Sequence, residues 1–357
     1  MRYLGIFALL LAACGCATQK DQPERELVRN PVQLTSGFER AGEAYFSPDQ
    51  QWIIFQAVPK GEHNYQMYLA RLRWNDGAVV GANLPIRISP ANSRNTCGFF
   101  SPDGKSLIFA STIGKEIPDE PAGGYQRQGR NYKWSFPTGM EIYKCDYWRI
   151  AIAGRDSLDH INLADTSLTS NNVYDAECAF SPDSKWICFT RGAGADADIY
   201  VMKADGTGTV QITTARGYDG GPFFSPDGKR LVYRSDRKGN DLLQIFTCDL
   251  VFDAEGNITG ATNERQLTDD GNVNWGPYWH PDGKHIIYAT SKHGHTNYEL
   301  YIMDDTGANQ TRVTYHDGAD VLPVFSPDGK WLMWTSKRSA DGSAQIFIGR
   351  FAMPEAK

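Results

Sequence analysis

The sequence predicts an all-β chain folded as a six-bladed β-propeller of four-stranded antiparallel blades, and three observations carry that prediction. One phrase occurs six times: Tyr45-Phe46-Ser47-Pro48-Asp49-Gln50, Phe99-Phe100-Ser101-Pro102-Asp103-Gly104, Ala179-Phe180-Ser181-Pro182-Asp183-Ser184, Phe223-Phe224-Ser225-Pro226-Asp227-Gly228, Tyr278-Trp279-His280-Pro281-Asp282-Gly283 and Val324-Phe325-Ser326-Pro327-Asp328-Gly329. Its prolines lie 54, 80, 44, 55 and 46 residues apart, the period of a propeller blade with insertions. Aromatic and β-branched runs flank every phrase, as strands flank a turn.

Before the first phrase, Tyr3 to Ala13 is an apolar run behind one arginine, too short to span a bilayer, which needs about 20 residues. Leu11-Ala12-Ala13-Cys14 resembles a bacterial lipobox, which implies a signal peptide over residues 1–13 and lipidation at Cys14. Gly15 then implies sorting to the outer membrane, facing the periplasm or the cell surface. Residues 14–30 are polar and non-periodic and read as a tether whose removal leaves the fold intact. Residues 31–353 read as the propeller and 354–357 as a tail.

Within each unit, Pro-Asp-Gly supplies a preset φ, a turn-capping carboxylate and a residue free to take positive φ. Trp52-Ile53-Ile54-Phe55, Arg230-Leu231-Val232-Tyr233 and Trp331-Leu332-Met333-Trp334 read as second strands. Glu299-Leu300-Tyr301-Ile302-Met303 reads as a third and Arg265-Gln266-Leu267-Thr268 as a short fourth. The sixth unit has no fourth strand after Ile348, and Pro31-Val32-Gln33-Leu34-Thr35 matches the missing pattern, so the N-terminus is expected to close the ring. Cys97, Cys145, Cys178, Cys188 and Cys248 are irregularly spaced and read as buried thiols, with one or two disulfides as the alternative.

The Ser-Pro-Asp-Gly-Lys repeats resemble the WD-like propeller repeats of the TolB family and of prolyl oligopeptidase relatives. The TolB resemblance implies a binding platform, with function at the rim opposite the Pro-Asp-Gly turns. Seven residues before each repeat proline stand Ala41, Asn95, Asp175, Asp219, Asn274 and Asp320, and five before it stand Glu43, Cys97, Glu177, Gly221, Gly276 and Leu322. By the family geometry the first set faces the channel mouth, and Glu43, Asn95, Asp175, Glu177, Asp219, Asn274, Trp275 and Asp320 are the candidate binding residues; capping of interblade loops is the alternative. Carboxylates about 8 Å apart repel by roughly 2 kcal/mol, so a ring of Asp175, Asp219 and Asp320 calls for protonation of one carboxylate, a compensating cation such as calcium, nearby Arg or Lys, or a basic partner segment. Rim loops carry Arg191, Arg237, Lys292, His293 and Arg338, for which a solvated surface is the default. The insertion from Ile113 to Met140 reads as a flap over the mouth or as a loop folded onto the blade edge.

The net charge of −6 gives no basic patch for a phosphate backbone, which argues against nucleic acid. The absence of a Gly-x-Ser-x-Gly elbow argues against peptidase chemistry. The favoured reading, in line with the TolB resemblance, is a monomeric, non-enzymatic envelope lipoprotein that binds a protein or peptide partner in its mouth. The alternative is a polysaccharide lyase of the oligogalacturonate-lyase type, which would gather histidines and a metal in the channel.

Overall fold

Turn chemistry assembles the blades. In the computed structural model, which describes residues 22–90, 92–115, 124–128, 131–155, 160–193 and 196–355, the Ser47 hydroxyl donates to Asp49 Oδ1 (2.5 Å) and accepts from the Trp52 N–H (2.9 Å). Asp49 Oδ1 also accepts from the Gln51 N–H (3.1 Å). The same bonds recur at Ser101, Ser181, Ser225 and Ser326. In the fifth turn His280 replaces the serine, and its Nδ1 accepts from the Asp282 N–H (3.2 Å). The repeated serine and aspartate are therefore local turn-formers.

Each turn joins the two innermost strands of a sheet. The first strands of blades 1 to 6 are Phe38–Phe46, Asn95–Phe100, Tyr174–Phe180, Asp219–Phe224, Asn274–Trp279 and Asp320–Phe325. They contact one another in cyclic order, the sixth against the first. The last sheet runs Val28–Gln33, Gln345–Phe351, Trp331–Ser336, Asp320–Phe325, so an N-terminal strand completes the last blade as expected. Phe55, Phe109, Phe189, Tyr233, Tyr288 and Trp334 fill the blades and are essentially inaccessible to solvent. All five cysteines named above are buried free thiols.

The closing strand differs from expectation in extent. It begins at Val28, which pairs with Phe351 and is fully buried, and Gln22–Leu27 ahead of it is a short helix. Glu24 of that helix is buried: it accepts from the Tyr315 N–H (3.0 Å) and from Arg338 Nη1 (2.6 Å). Residues 22–30, expected to be tether, thus belong to the folded body. Their polarity concealed this, because the charge of Glu24 is satisfied by Arg338, 314 residues away. Cys14 and the signal run lie outside the described residues.

One polar clip is repeated in all six blades. A hydroxyl at the end of the fourth strand donates to a carbonyl or carboxylate at or near the start of the third: Thr35 to Gln345 (2.9 Å), Ser89 to Gln66 (2.6 Å), Thr169 to Glu141 (2.6 Å), Thr213 to Asp198 (3.2 Å), Thr268 to Gln244 (2.8 Å) and Thr314 to Glu299 (2.6 Å). The same oxygen accepts a third-strand backbone N–H, from Ile346, Met67, Ile142, Ile199, Ile245 and Leu300 respectively. Thr35 therefore fills the fourth-strand role in the last blade.

Thr35→Val leaves a buried N–H and amide oxygen without their partner, and a urea titration is expected to show a loss of about 1–3 kcal/mol. A chain beginning at Ser36 should melt far below one beginning at Gln22; equal melting would refute closure by this strand. The clip in blade 5 also predicts a pH dependence. Burial pushes the Glu299 carboxyl up to about 7, against the opposing pull of the Thr314 hydroxyl and Arg312. The folded state then binds more protons than the unfolded one between about 4.5 and 7. This contribution is present below that window and is lost as pH rises through it, by about 3 kcal/mol. Glu299→Gln should accordingly flatten the fall in melting temperature from pH 5 to pH 8.

Candidate ligand-binding mouth

Symmetry of the backbone builds the site. In each first strand the register slips at an equivalent place, between Gly42 and Ala44, Thr96 and Phe99, Ala176 and Ala179, Gly220 and Phe223, Trp275 and Tyr278, and Val321 and Val324. At each slip a residue takes the left-handed conformation: Glu43 (φ 48°), Cys97 (54°), Glu177 (55°), Gly221 (59°), Gly276 (58°) and Leu322 (52°). Such bulges re-aim a side chain out of the strand's alternation. All six line one axial cavity of about 530 Å³.

Aromatic rings stop the channel below it. Tyr45 lies 4.9 Å from Phe99, 5.7 Å from Phe223 and 6.3 Å from Tyr278 between ring centroids, and Phe223 lies 5.0 Å from Tyr278. Tyr45 and Phe223 come from opposite blades, so the rings meet across the axis and the cavity is a pit with one mouth. Phe136 and Pro137, at the end of the blade 2 insertion, line the pit; Phe136 stacks on Tyr218 (5.0 Å) and packs on Tyr174 (4.8 Å). This end of the insertion is therefore at the mouth; the side chains of residues 116–135 lie outside the described residues.

Two carboxylates, Glu43 and Glu177, and three guanidinium groups, Arg40, Arg94 and Arg234, line the cavity. Glu177 accepts from the Tyr218 hydroxyl (2.7 Å), the Thr190 hydroxyl (2.9 Å) and the Gly221 N–H (2.6 Å), and pairs with Arg234 (3.2 Å). Gly221 leaves room for this guanidinium, since a Cβ there would sit 2.0 Å from Arg234 Nη1 and displace it. Glu43 accepts a long bond from the Tyr45 hydroxyl (3.4 Å). Burial raises the Glu43 carboxyl above its ordinary range; the Cys97 thiol and Arg234 oppose this and Glu177 adds to it.

The predicted site residues divide. Glu43, Asn95, Glu177 and Trp275 line the pit, whereas Asp175, Asp219, Asn274 and Asp320 do not. Asp175 is fully buried and held by Arg191 in two bonds (2.7 and 2.8 Å). Asp219 pairs with Arg237 (2.8 Å) and Asp320 with Arg338 (2.5 Å), each tying a first strand to the loop after the second strand of its own blade. Asn274 is bonded to Gln244 (3.0 Å) and Asp270 (2.9 Å). The expected acidic ring is thus replaced by separate ion pairs, and Arg191, Arg237 and Arg338 are their structural partners instead of free rim charges. Burial raises the Asp219 and Asp320 carboxyls, and their arginines counter it. Among the described residues no group of three or more His, Cys, Asp or Glu is placed to hold a metal, and of the ways to compensate Asp175, Asp219 and Asp320 it is nearby arginines, not a calcium ligand set, that stand there. Lys292 pairs with Asp270 (3.0 Å), and His293 stacks on Tyr301 (5.9 Å) in the outer strands of blade 5. None of the seven histidines lines the pit, in contrast to what the lyase reading requires.

Sequence reasoning missed Arg234, Tyr65, Tyr218 and the plug. The signal for the plug was the first residue of each repeated pair: Tyr45, Phe99, Ala179, Phe223, Tyr278 and Val324 alternate with the blade-facing Phe46, Phe100, Phe180, Phe224, Trp279 and Phe325.

These features define a six-bladed propeller with a one-ended axial cavity. The TolB β-propeller domain family (PD40) matches residues 164–266 and 257–356, more than half of the sequence, and the chain belongs to that family. It is 33% identical over 119 residues to a TolB homologue of Chlorobium luteolum, and 29% identical over 152 residues to one of Chlorobium chlorochromatii. Those alignments cover 32% and 43% of this chain but only 25% and 31% of the two relatives. An uncharacterised protein of Agrobacterium fabrum is 26% identical over 71% of this chain and 83% of its own. TolB from Acinetobacter baumannii shares the fold with a TM-score of 0.51, at 19% identity over 88% of this chain and 65% of that one. An oligogalacturonate lyase in complex with manganese does so with a TM-score of 0.50, at 17% identity over 91% of each chain. At these identities the structural likeness is one of fold.

Arg338→Ala leaves the Asp320 carboxylate buried without its cation and releases Glu24, and should cost about 3–5 kcal/mol in a denaturant titration. A loss below 1 kcal/mol would show the cluster to be dispensable.

Proposed function

We propose that the chain is an exported cell-envelope lipoprotein, anchored through Cys14, whose propeller mouth binds a segment of an envelope protein or peptide as a monomer and without catalysis. The observation that carries this reading is the pit itself. It has one opening, and its volume of about 530 Å³ falls within the roughly 300–1,000 Å³ of ligand sites. Tyr65, Trp275, Phe136 and Arg94 on its walls are residue types that anchor interfaces. Membership of the TolB propeller family supports an envelope setting, and the Leu11-Ala12-Ala13-Cys14 run supports the anchor.

The test uses the full chain, solubilised from membranes and immobilised, to capture partners from an envelope extract. A double substitution of Phe136 and Trp275 to Ala should abolish capture at unchanged circular dichroism. Undiminished capture would move binding off the mouth. Fatty-acid labelling should disappear in Cys14→Ala, and persistent label would refute the anchor.

A further inference from the structure

The two carboxylates of the pit are served unequally. Glu177 has the Thr190 and Tyr218 hydroxyls, a long bond from the Tyr174 hydroxyl (3.4 Å), a backbone N–H and the Arg234 guanidinium. Among the described residues Glu43 has the 3.4 Å bond from Tyr45 and the contact of the Cys97 thiol, while its backbone N–H is taken by the Thr335 hydroxyl (3.2 Å). Arg234 is turned toward Glu177, lies 5.5 Å from the Tyr218 ring and also acts on Glu43, while Arg40 and Arg94 line the pit as well. Glu43 sits half-buried on its bulge, facing the axis.

The walls above it suit a cation. Tyr45, Tyr65, Trp275 and Tyr278 all line the pit, and Arg40 already lies 4.8 Å over the face of Tyr65. Aromatic faces attract guanidinium and ammonium groups, most strongly where water is excluded. A neutral or anionic group placed on this floor would strip water from Glu43 and leave its charge without a counterpart.

We infer that Glu43 is the seat for a basic side chain: the partner segment inserts a lysine ammonium or arginine guanidinium between the aromatic walls and onto the Glu43 carboxylate. The inference rests on the mouth being the binding site. Tyr45, Cys97, Glu177 and Arg234 are the titratable groups that act on Glu43, and burial favours its protonated form. A cation favours the ionised form, so binding releases a proton and tightens as pH rises.

The full-length chain in detergent micelles is titrated calorimetrically with n-butylammonium, n-butylguanidinium and, as an uncharged control, n-butanol, from pH 5 to pH 8. Saturable one-to-one binding of at least one cation is expected, with proton release read from the dependence of the heat on buffer, and no binding of n-butanol. Glu43→Gln should weaken it at least tenfold, and Glu43→Asp should restore part of the loss. Absence of saturable cation binding, equal binding of n-butanol, or equal affinity in Glu43→Gln would overturn the inference. Should Glu43→Gln fail to fold, the proton release and pH dependence of the unsubstituted chain decide the matter. Envelope capture that survives Glu43→Gln but is lost on substitution of Phe136 and Trp275 overturns this inference alone. Cation binding at Glu43 with capture that survives the Phe136 and Trp275 substitutions overturns the mouth reading instead.

Discussion

Ring closure is the constraint on which everything else depends, because an axial pit exists only while six first strands face one another. In five blades the hydroxyl clip joins residues 15 to 28 apart in sequence; in the last, Thr35 and Gln345 are 310 apart. The same local geometry is therefore reached against a much larger loop-closure entropy. Further contacts reinforce it: Val28 is buried among the hydrophobic residues of the last blade, and Arg338 holds Glu24 and Asp320 together. The seam thus carries more interactions than the strand pairing alone supplies.

On that ring, chemistry comes from departures from symmetry. The left-handed bulge is the same in every blade, yet four of its six occupants are not glycine, and a non-glycine residue held there costs about 1–3 kcal/mol. Glycine at 221 makes room for Arg234 beside Glu177. The cation of the floor is thus placed by a side chain that is absent, on a different strand from the anion it meets.

This explains what could be read from the sequence and what could not. Turns, strand order and closure were legible because they rest on local signals: Ser-Pro-Asp geometry, alternating apolar runs and the fourth-strand pattern ending at Thr35. The bulge was not, since Glu43, Cys97, Glu177 and Leu322 carry no intrinsic preference for positive φ, and only Gly221 and Gly276 hinted at it. The aspartates at the neighbouring position misled because their arginines lie 16 to 18 residues on, across the hairpin, where pairing of Asp175 with Arg191, Asp219 with Ser235 and Asp320 with Ser336 brings them opposite. A pattern search for Ser-x-Arg after the second strand, met at Ser235 to Arg237 and Ser336 to Arg338, would have paired two of the three.

The plug limits what kind of partner can fit. Rings from blades 1, 2, 4 and 5 meet at the axis, while Ala179 and Val324 occupy the same position in blades 3 and 6, which face each other. Six rings would overfill the space, and overpacking is itself destabilising; four rings with two small residues fill it. A ligand cannot thread through, so a segment that reaches Glu43 must enter and leave by one rim, as a chain end, a tight loop or a long side chain. Of these, a long basic side chain disturbs the partner's backbone least, because its methylenes pass along the aromatic walls while its charge reaches the floor.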